Sequence, residues 1–169
     1  MRLNDSLHIS QLRVVVHLCG FLVLLYSFSM LPPMLIALLN KERSLFAFFS
    51  TFMTFFTLGG GAWLATKHAG IQLRTRDGFV IIVLFWLLFS FISAMPMWMD
   101  DGLNLSFADA LFEGVSGITT TGATVIDDVS ALPKSYLYYR AQLNFIGGLG
   151  VIVLALGPDL PREDQLYPG

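Results

Sequence analysis

Apolar residues fall into four long blocks separated by short polar links: about Val14–Leu39, Leu45–Ala65, Gly78–Met97 and Leu137–Leu156. Each block is close to the roughly 20 apolar residues a helix needs to cross the hydrocarbon core of a bilayer. The pattern therefore predicts four membrane-spanning helices. Pro32 and Pro33 sit near the far end of the first block, and the missing proline donors predict that the helix kinks or ends there. Gly59, Gly60 and Gly61 in the phenylalanine-rich second block would let a neighbouring helix approach closely. The third block is expected to close at Pro96, with Trp98 as an interfacial anchor and Asp100 and Asp101 marking the return to water. Arg2 and Arg13 ahead of an apolar run resemble the start of a signal peptide. The run outlasts a normal signal core and no Ala-x-Ala-like site follows, so it is read as a span.

The segment between the third and fourth blocks has a different rhythm. Ser106–Gly117 reads as a helix too short to span, with Ser106 and Asp109 at the two positions of a capping box. Phe107, Ala110, Leu111 and Val115 supply its apolar contacts. Ile118-Thr119-Thr120-Thr121-Gly122-Ala123-Thr124 follows, with no helical period. Irregular backbone at membrane depth is tolerated only where protein buries it or where it lines a watery cavity. A short helix and an extended run between two spans suit a re-entrant pore loop. The helix would aim its partly negative C-terminal end into the membrane, favouring a cation there. Inward-facing carbonyls of Thr119, Thr120, Thr121 and Gly122 would replace the water lost by a potassium ion, bound at Thr120, Thr121 and Gly122. Gly122 reaches backbone angles closed to other residues. Glu113, Ala123 and Thr124 are the expected supports of this strand. Thr-Thr-Thr-Gly alone fits a polar turn equally well; the helix before it and the flanking spans favour the pore.

Composition agrees with the membrane reading. Of 169 residues, 55% are hydrophobic and 13% charged, with a mean hydropathy of +0.68, too few charges for the surface of a soluble domain of this length. A net charge of -2 and the absence of a polybasic run argue against nucleic-acid partners and surface binding. Cys19 is the one cysteine and reads as a small buried hydrophobe. His8, His17 and His68 stand apart, as interfacial or loop residues. No nucleophile–base pair, metal ligand set or phosphate-binding glycine loop points to an enzyme, and no cofactor is expected. Of the 10 basic residues, Arg2, Arg13, Lys67, Arg74, Arg76 and Arg162 fall on one side if the pore loop enters and leaves by the same face, and Lys41, Arg43, Lys134 and Arg140 on the other. This bias favours a cytoplasmic N-terminus.

Several residues carry two readings. Glu113 either tunes the field near the filter or bonds to the strand behind it; otherwise it is a structural acid satisfied by nearby backbone. Asp127 and Asp128 either draw cations to the entrance or form a solvated acidic loop. Gly147, Gly148 and Gly150 serve as a hinge or, the favoured reading, allow close packing. Arg140 is expected to snorkel to the interface.

The order of a span, Ser106-Phe107-Ala108-Asp109-Ala110-Leu111-Phe112-Glu113-Gly114-Val115-Ser116-Gly117-Ile118-Thr119-Thr120-Thr121-Gly122-Ala123-Thr124 and a second span resembles the first pore repeat of the TrkH-type transporters of the Trk/Ktr/HKT superfamily. Phe145-Ile146-Gly147-Gly148-Leu149-Gly150 resembles the glycine-containing start of that repeat's second helix. The resemblance implies an all-α membrane protein with two N-terminal transmembrane helices (residues 1–77) and one helix–pore loop–helix repeat (78–156). Within the repeat the expected parts are helix 78–97, pore helix 106–117, filter 119–124 and helix 137–156, ahead of a polar tail at 157–169. It further implies potassium uptake in the cell's inner membrane, lipid contacts and a TrkA-type cytoplasmic regulatory ring. The family places four repeats around one pore, whereas one is legible here. The tail Gly157-Pro158-Asp159-Leu160-Pro161-Arg162-Glu163-Asp164 does not read as a continuing helix and is expected to be disordered. The chain is therefore read as a truncated or frameshifted product. It would conduct only with further repeats from the same or other chains. The alternative is a non-conducting membrane scaffold or assembly partner.

Overall fold

In the computed structural model the chain is described over residues 2–67 and 75–156, with side chains over 12–67 and 80–152. The described residues form six α-helices: α1 (Arg2–Ser27), α2 (Leu31–Asn40), α3 (Ser44–Ala65), α4 (Thr75–Met99), α5 (Phe107–Ile118) and α6 (Lys134–Leu156). Short 3-10 turns at Phe28–Met30 and Val129–Ala131 complete them. The fold is an all-α membrane protein. The expected tail at 157–169 and most of the link around His68 lie outside the described residues.

Three stretches are long and apolar enough to cross a membrane: Leu12–Asn40, Ser44–Ala65 and Val80–Met99. The expected fourth span, α6, has 23 residues but is not among these three. Its first half spends Lys134, Arg140 and Gln142 on contacts with other parts of the protein. α1 packs most extensively against α3, and α4 against α5.

Pro32 and Pro33 do not end the first apolar stretch, which α2 continues to Asn40; the break lies one turn ahead of them, at Phe28–Met30, and they occupy the first turn of α2. Proline is tolerated there because first-turn N–H groups lack intrahelical partners anyway. The carbonyls the two rings leave without their usual i+4 donors are those of Phe28 and Ser29. The Leu31 N–H takes the Phe28 carbonyl in the 3-10 turn, and Gln142 Nε2 reaches the Ser29 carbonyl from α6 at 2.7 Å. Nor does Pro96 close the third span, since α4 continues through it to Met99. Tyr139 Oη donates to the Ser93 carbonyl at 3.0 Å and Tyr136 Oη to the Pro96 carbonyl at 2.8 Å, tying α6 to α4 on either side of the turn around Pro96, while the carbonyl that loses its i+4 donor to the ring is that of Ile92.

Tyr136, Tyr139 and Gln142 recur at helical spacing, so one polar-tipped row of α6 serves both proline-disturbed helices. The same row centres the core. Tyr136 and Tyr139 are fully buried with Phe48, Met30, Ile92 and Met97, and the Phe48 ring lies 5.0 and 5.2 Å from the two tyrosine rings. Of the three glycines in α3, Gly59 makes the expected close approach: a Cβ there would come within 2.6 Å of the Leu24 backbone nitrogen. Gly60 has only ordinary contacts and Gly61 none.

Candidate functional site

α5 is 12 residues long, about 18 Å at 1.5 Å per residue, too short to cross a bilayer. Its start follows from the capping box. Ser106 Oγ accepts from the Asp109 N–H at 3.2 Å, and the Asp109 carboxylate accepts from the Ser106 N–H at 3.2 Å. Phe107 lies edge-on to Trp98 near the end of α4, at 5.4 Å. From there α5 runs back along α4. Gly114 rests on the backbone of Ser90 and Ala94, where a Cβ would meet the Ser90 carbonyl oxygen and the Ala94 nitrogen at 2.8 Å. Ser90 lies roughly 13 Å along α4 from Met99. Gly117 faces Leu143, and a Cβ on Gly147 would fall on the Ile118 carbonyl oxygen. The end of α5 is thus lodged between α4 and α6, with Gly114 level with the middle of the Val80–Met99 stretch. For Gly147 the close-packing reading holds; Gly148 and Gly150 have only ordinary contacts.

The helix ends in a Schellman arrangement. The Thr120 N–H bonds the Gly117 carbonyl at 3.0 Å, and the Thr121 N–H bonds the Ser116 carbonyl at 2.9 Å. Thr120 takes the left-handed position, φ 59°, which a β-branched residue rarely accepts. Gly122 is left-handed too, φ 74°, whereas Thr121 between them is not. The Thr119 N–H returns to the Val115 carbonyl at 2.9 Å and the Gly122 N–H to Ser116 at 3.3 Å. All four N–H groups of Thr119–Gly122 therefore point back to α5. Among the described residues, none of their four carbonyls accepts a hydrogen bond. These four residues are exposed. The Thr119 hydroxyl donates to the Val115 carbonyl at 2.7 Å, which leaves the Thr121 hydroxyl to donate to it at 2.9 Å.

The next carbonyl, that of Ala123, is taken, because Ser116 Oγ donates to it at 2.6 Å. Glu113 is buried at 2% exposure. One carboxylate oxygen accepts from the Thr124 hydroxyl at 2.5 Å and the Val125 N–H at 2.8 Å. The other pairs with the Arg140 guanidinium. Glu113 thus bonds to the strand behind the Thr-Gly run and to its backbone, which fits both of its sequence readings. Arg140 corrects the snorkelling expectation: its side chain is 18% exposed and turned into the protein. A buried carboxylate facing it is a stronger attraction than the interface, since an unpaired buried charge is costly. Charge inside a span was the available signal.

Asp127 and Asp128 lie in the exposed link after the strand. Asp128 caps the 3-10 turn. The Ser130 hydroxyl and N–H bonded to it hold its carboxyl below the usual carboxylate range. Glu42, read only as part of a polar link, receives the Lys134 N–H at 3.0 Å and the Ser135 N–H at 3.2 Å, capping α6 from the α2–α3 connection. His17 bonds Thr66 at 3.1 Å near the end of α3.

Residues 44–157 match the family model described as TrkH, cation transport protein. The chain is 75% identical over 147 residues to the Trk system potassium uptake protein TrkG of Escherichia coli K12, covering 87% of this chain and 30% of that protein. It is 43% identical over 147 residues to the potassium uptake protein TrkH of Halomonas elongata, covering 86% of this chain and 30% of that protein. The crystal structure of the potassium transporter TrkH from Vibrio parahaemolyticus superposes with a TM-score of 0.83 at 40% identity, covering 88% of this chain and 32% of that one. The chain thus spans about 30% of the length of these relatives, which are transporters and not enzymes. With a family match over residues 44–157, from α3 through α6, the chain belongs to the TrkH family of cation transport proteins.

Proposed function

We propose that this chain contributes one pore repeat to potassium uptake across the cell's inner membrane, with its N-terminus in the cytoplasm. Thr119, Thr120, Thr121 and Gly122 form the filter strand and hold the ion, at Thr120, Thr121 and Gly122, through backbone carbonyls. Glu113, Ala123 and Thr124 support it. One observation carries this reading: four consecutive carbonyls are free of partners beside the C-terminal end of a capped helix lodged between two spans. Alternating backbone handedness at Thr120, Thr121 and Gly122 suits a strand that turns carbonyls to one side, and the helix end adds partial negative charge near a cation. The relatives named as potassium uptake proteins support the choice of ion. One strand cannot surround an ion, so conduction needs further repeats from the same or other chains. A TrkA-type ring on the cytoplasmic side and surrounding lipid complete the proposed assembly. Under the alternative, a non-conducting fragment or scaffold, the strand carries no ion.

The test is potassium-limited growth of a bacterium lacking its own potassium uptake, expressing the chain with or without Gly122→Arg. Rescue that the substitution abolishes, at equal membrane levels, is expected. Absence of rescue, or rescue indifferent to Gly122→Arg, supports the scaffold instead.

A further inference from the structure

Past Gly122 the strand loses its backbone ties to α5. No backbone–backbone bond holds residues 123–128 to a helix among the described residues. Three side-chain bonds replace them: Ser116 to the Ala123 carbonyl, and Glu113 to the Thr124 hydroxyl and the Val125 N–H. Two of the three end on one carboxylate oxygen. That carboxylate is anchored by Arg140 on α6, one helical turn ahead of Leu143 beneath Gly117 and two ahead of Gly147 beneath Ile118. Arg140 also lines the small crevice behind Gly122 and Ala123.

We infer that Arg140 is a positioning residue for the filter: acting through Glu113, it fixes the Thr124–Val125 limb and so couples the segment that follows the filter to α6. The inference rests on the filter reading of Thr119–Gly122. Arg140 touches no ion. Its positive charge balances the buried carboxylate, which would otherwise gain by protonation or by rotating toward water and would release Val125 in either case. A guanidinium fork fixes direction as well as charge.

Amide hydrogen exchange on the chain in detergent micelles tests this without transport. In Arg140→Gln, exchange in residues 123–126 should quicken about tenfold or more, as expected for losing a hydrogen bond to a charged group. Exchange in α3 and in residues 88–97 of α4 should stay unchanged. Arg140→Lys, which keeps the charge, should retain most of the protection. Unchanged exchange at 123–126, uniform quickening across the helices, or a Lys variant as loose as Gln would each overturn the inference. Failure of the filter reading shows separately, as growth indifferent to Gly122→Arg, and leaves the exchange result standing.

Discussion

Thr120 is the residue where local preference and fold disagree most openly. A β-branched side chain in the left-handed region costs about 1–3 kcal/mol, and glycine is the usual occupant of this helix-end position. The sequence places its glycine two residues later, at Gly122, whose own φ of 74° also needs one. Thr120→Gly should therefore stabilise the chain by about 1 kcal/mol and raise its thermal midpoint in detergent by roughly 2–4 °C. A midpoint that falls would mean the threonine side chain contributes more than its backbone costs. Reading the sequence at this scale located the Thr-Gly run and Glu113. It missed Arg140 because a charge near a helix start ordinarily reaches for water, and its partner lies 27 residues away, on another helix.

Helices were legible wherever apolar length decided the matter, and their ends were less so. Pro96 shows why. Proline removes the donor for the Ile92 carbonyl, yet α4 runs on to Met99, held from α6 by Tyr136 and Tyr139, which lie 40 and 46 residues along the chain from the Pro96 and Ser93 carbonyls they reach. The glycines teach the same lesson. Gly147 and Gly61 are both helical glycines in apolar surroundings, yet only Gly147 lies against another backbone. Gly147→Ala should displace the end of α5 and cost about 1–3 kcal/mol. Gly61→Ala should be neutral or stabilising by up to about 1 kcal/mol, as for any exposed helical glycine. Chemical denaturation of both variants checks the contrast; equal losses would mean α6 yields at Gly147 and the contact is not tight.

On the scale of the molecule, α1–α3 and α4–α6 pack into one body. α6 is the piece that joins them: its row of Tyr136, Tyr139 and Gln142 reaches both α4 and the first span, while Arg140 reaches the loop. Glu42 closes the assembly at the N-terminal end of α6. Glu42→Ala should remove a helix cap and cost about 1–2 kcal/mol. Fraying confined to the first turn of α6, read by exchange at residues 134–138, is the expected sign; protection that persists there would show the cap to be dispensable.

The reach of Glu42 also orders events in time. Its partner amide at Lys134 lies 92 residues later in the chain, on the order of ten seconds of synthesis at about 5–20 residues per second. Throughout that interval the α2–α3 corner stands ready while its carboxylate remains hydrated. When α6 emerges, its first turn meets a corner that has already left the ribosome. Ribosome-bound nascent chains, stalled at successive lengths, would carry that history in the accessibility of Glu42.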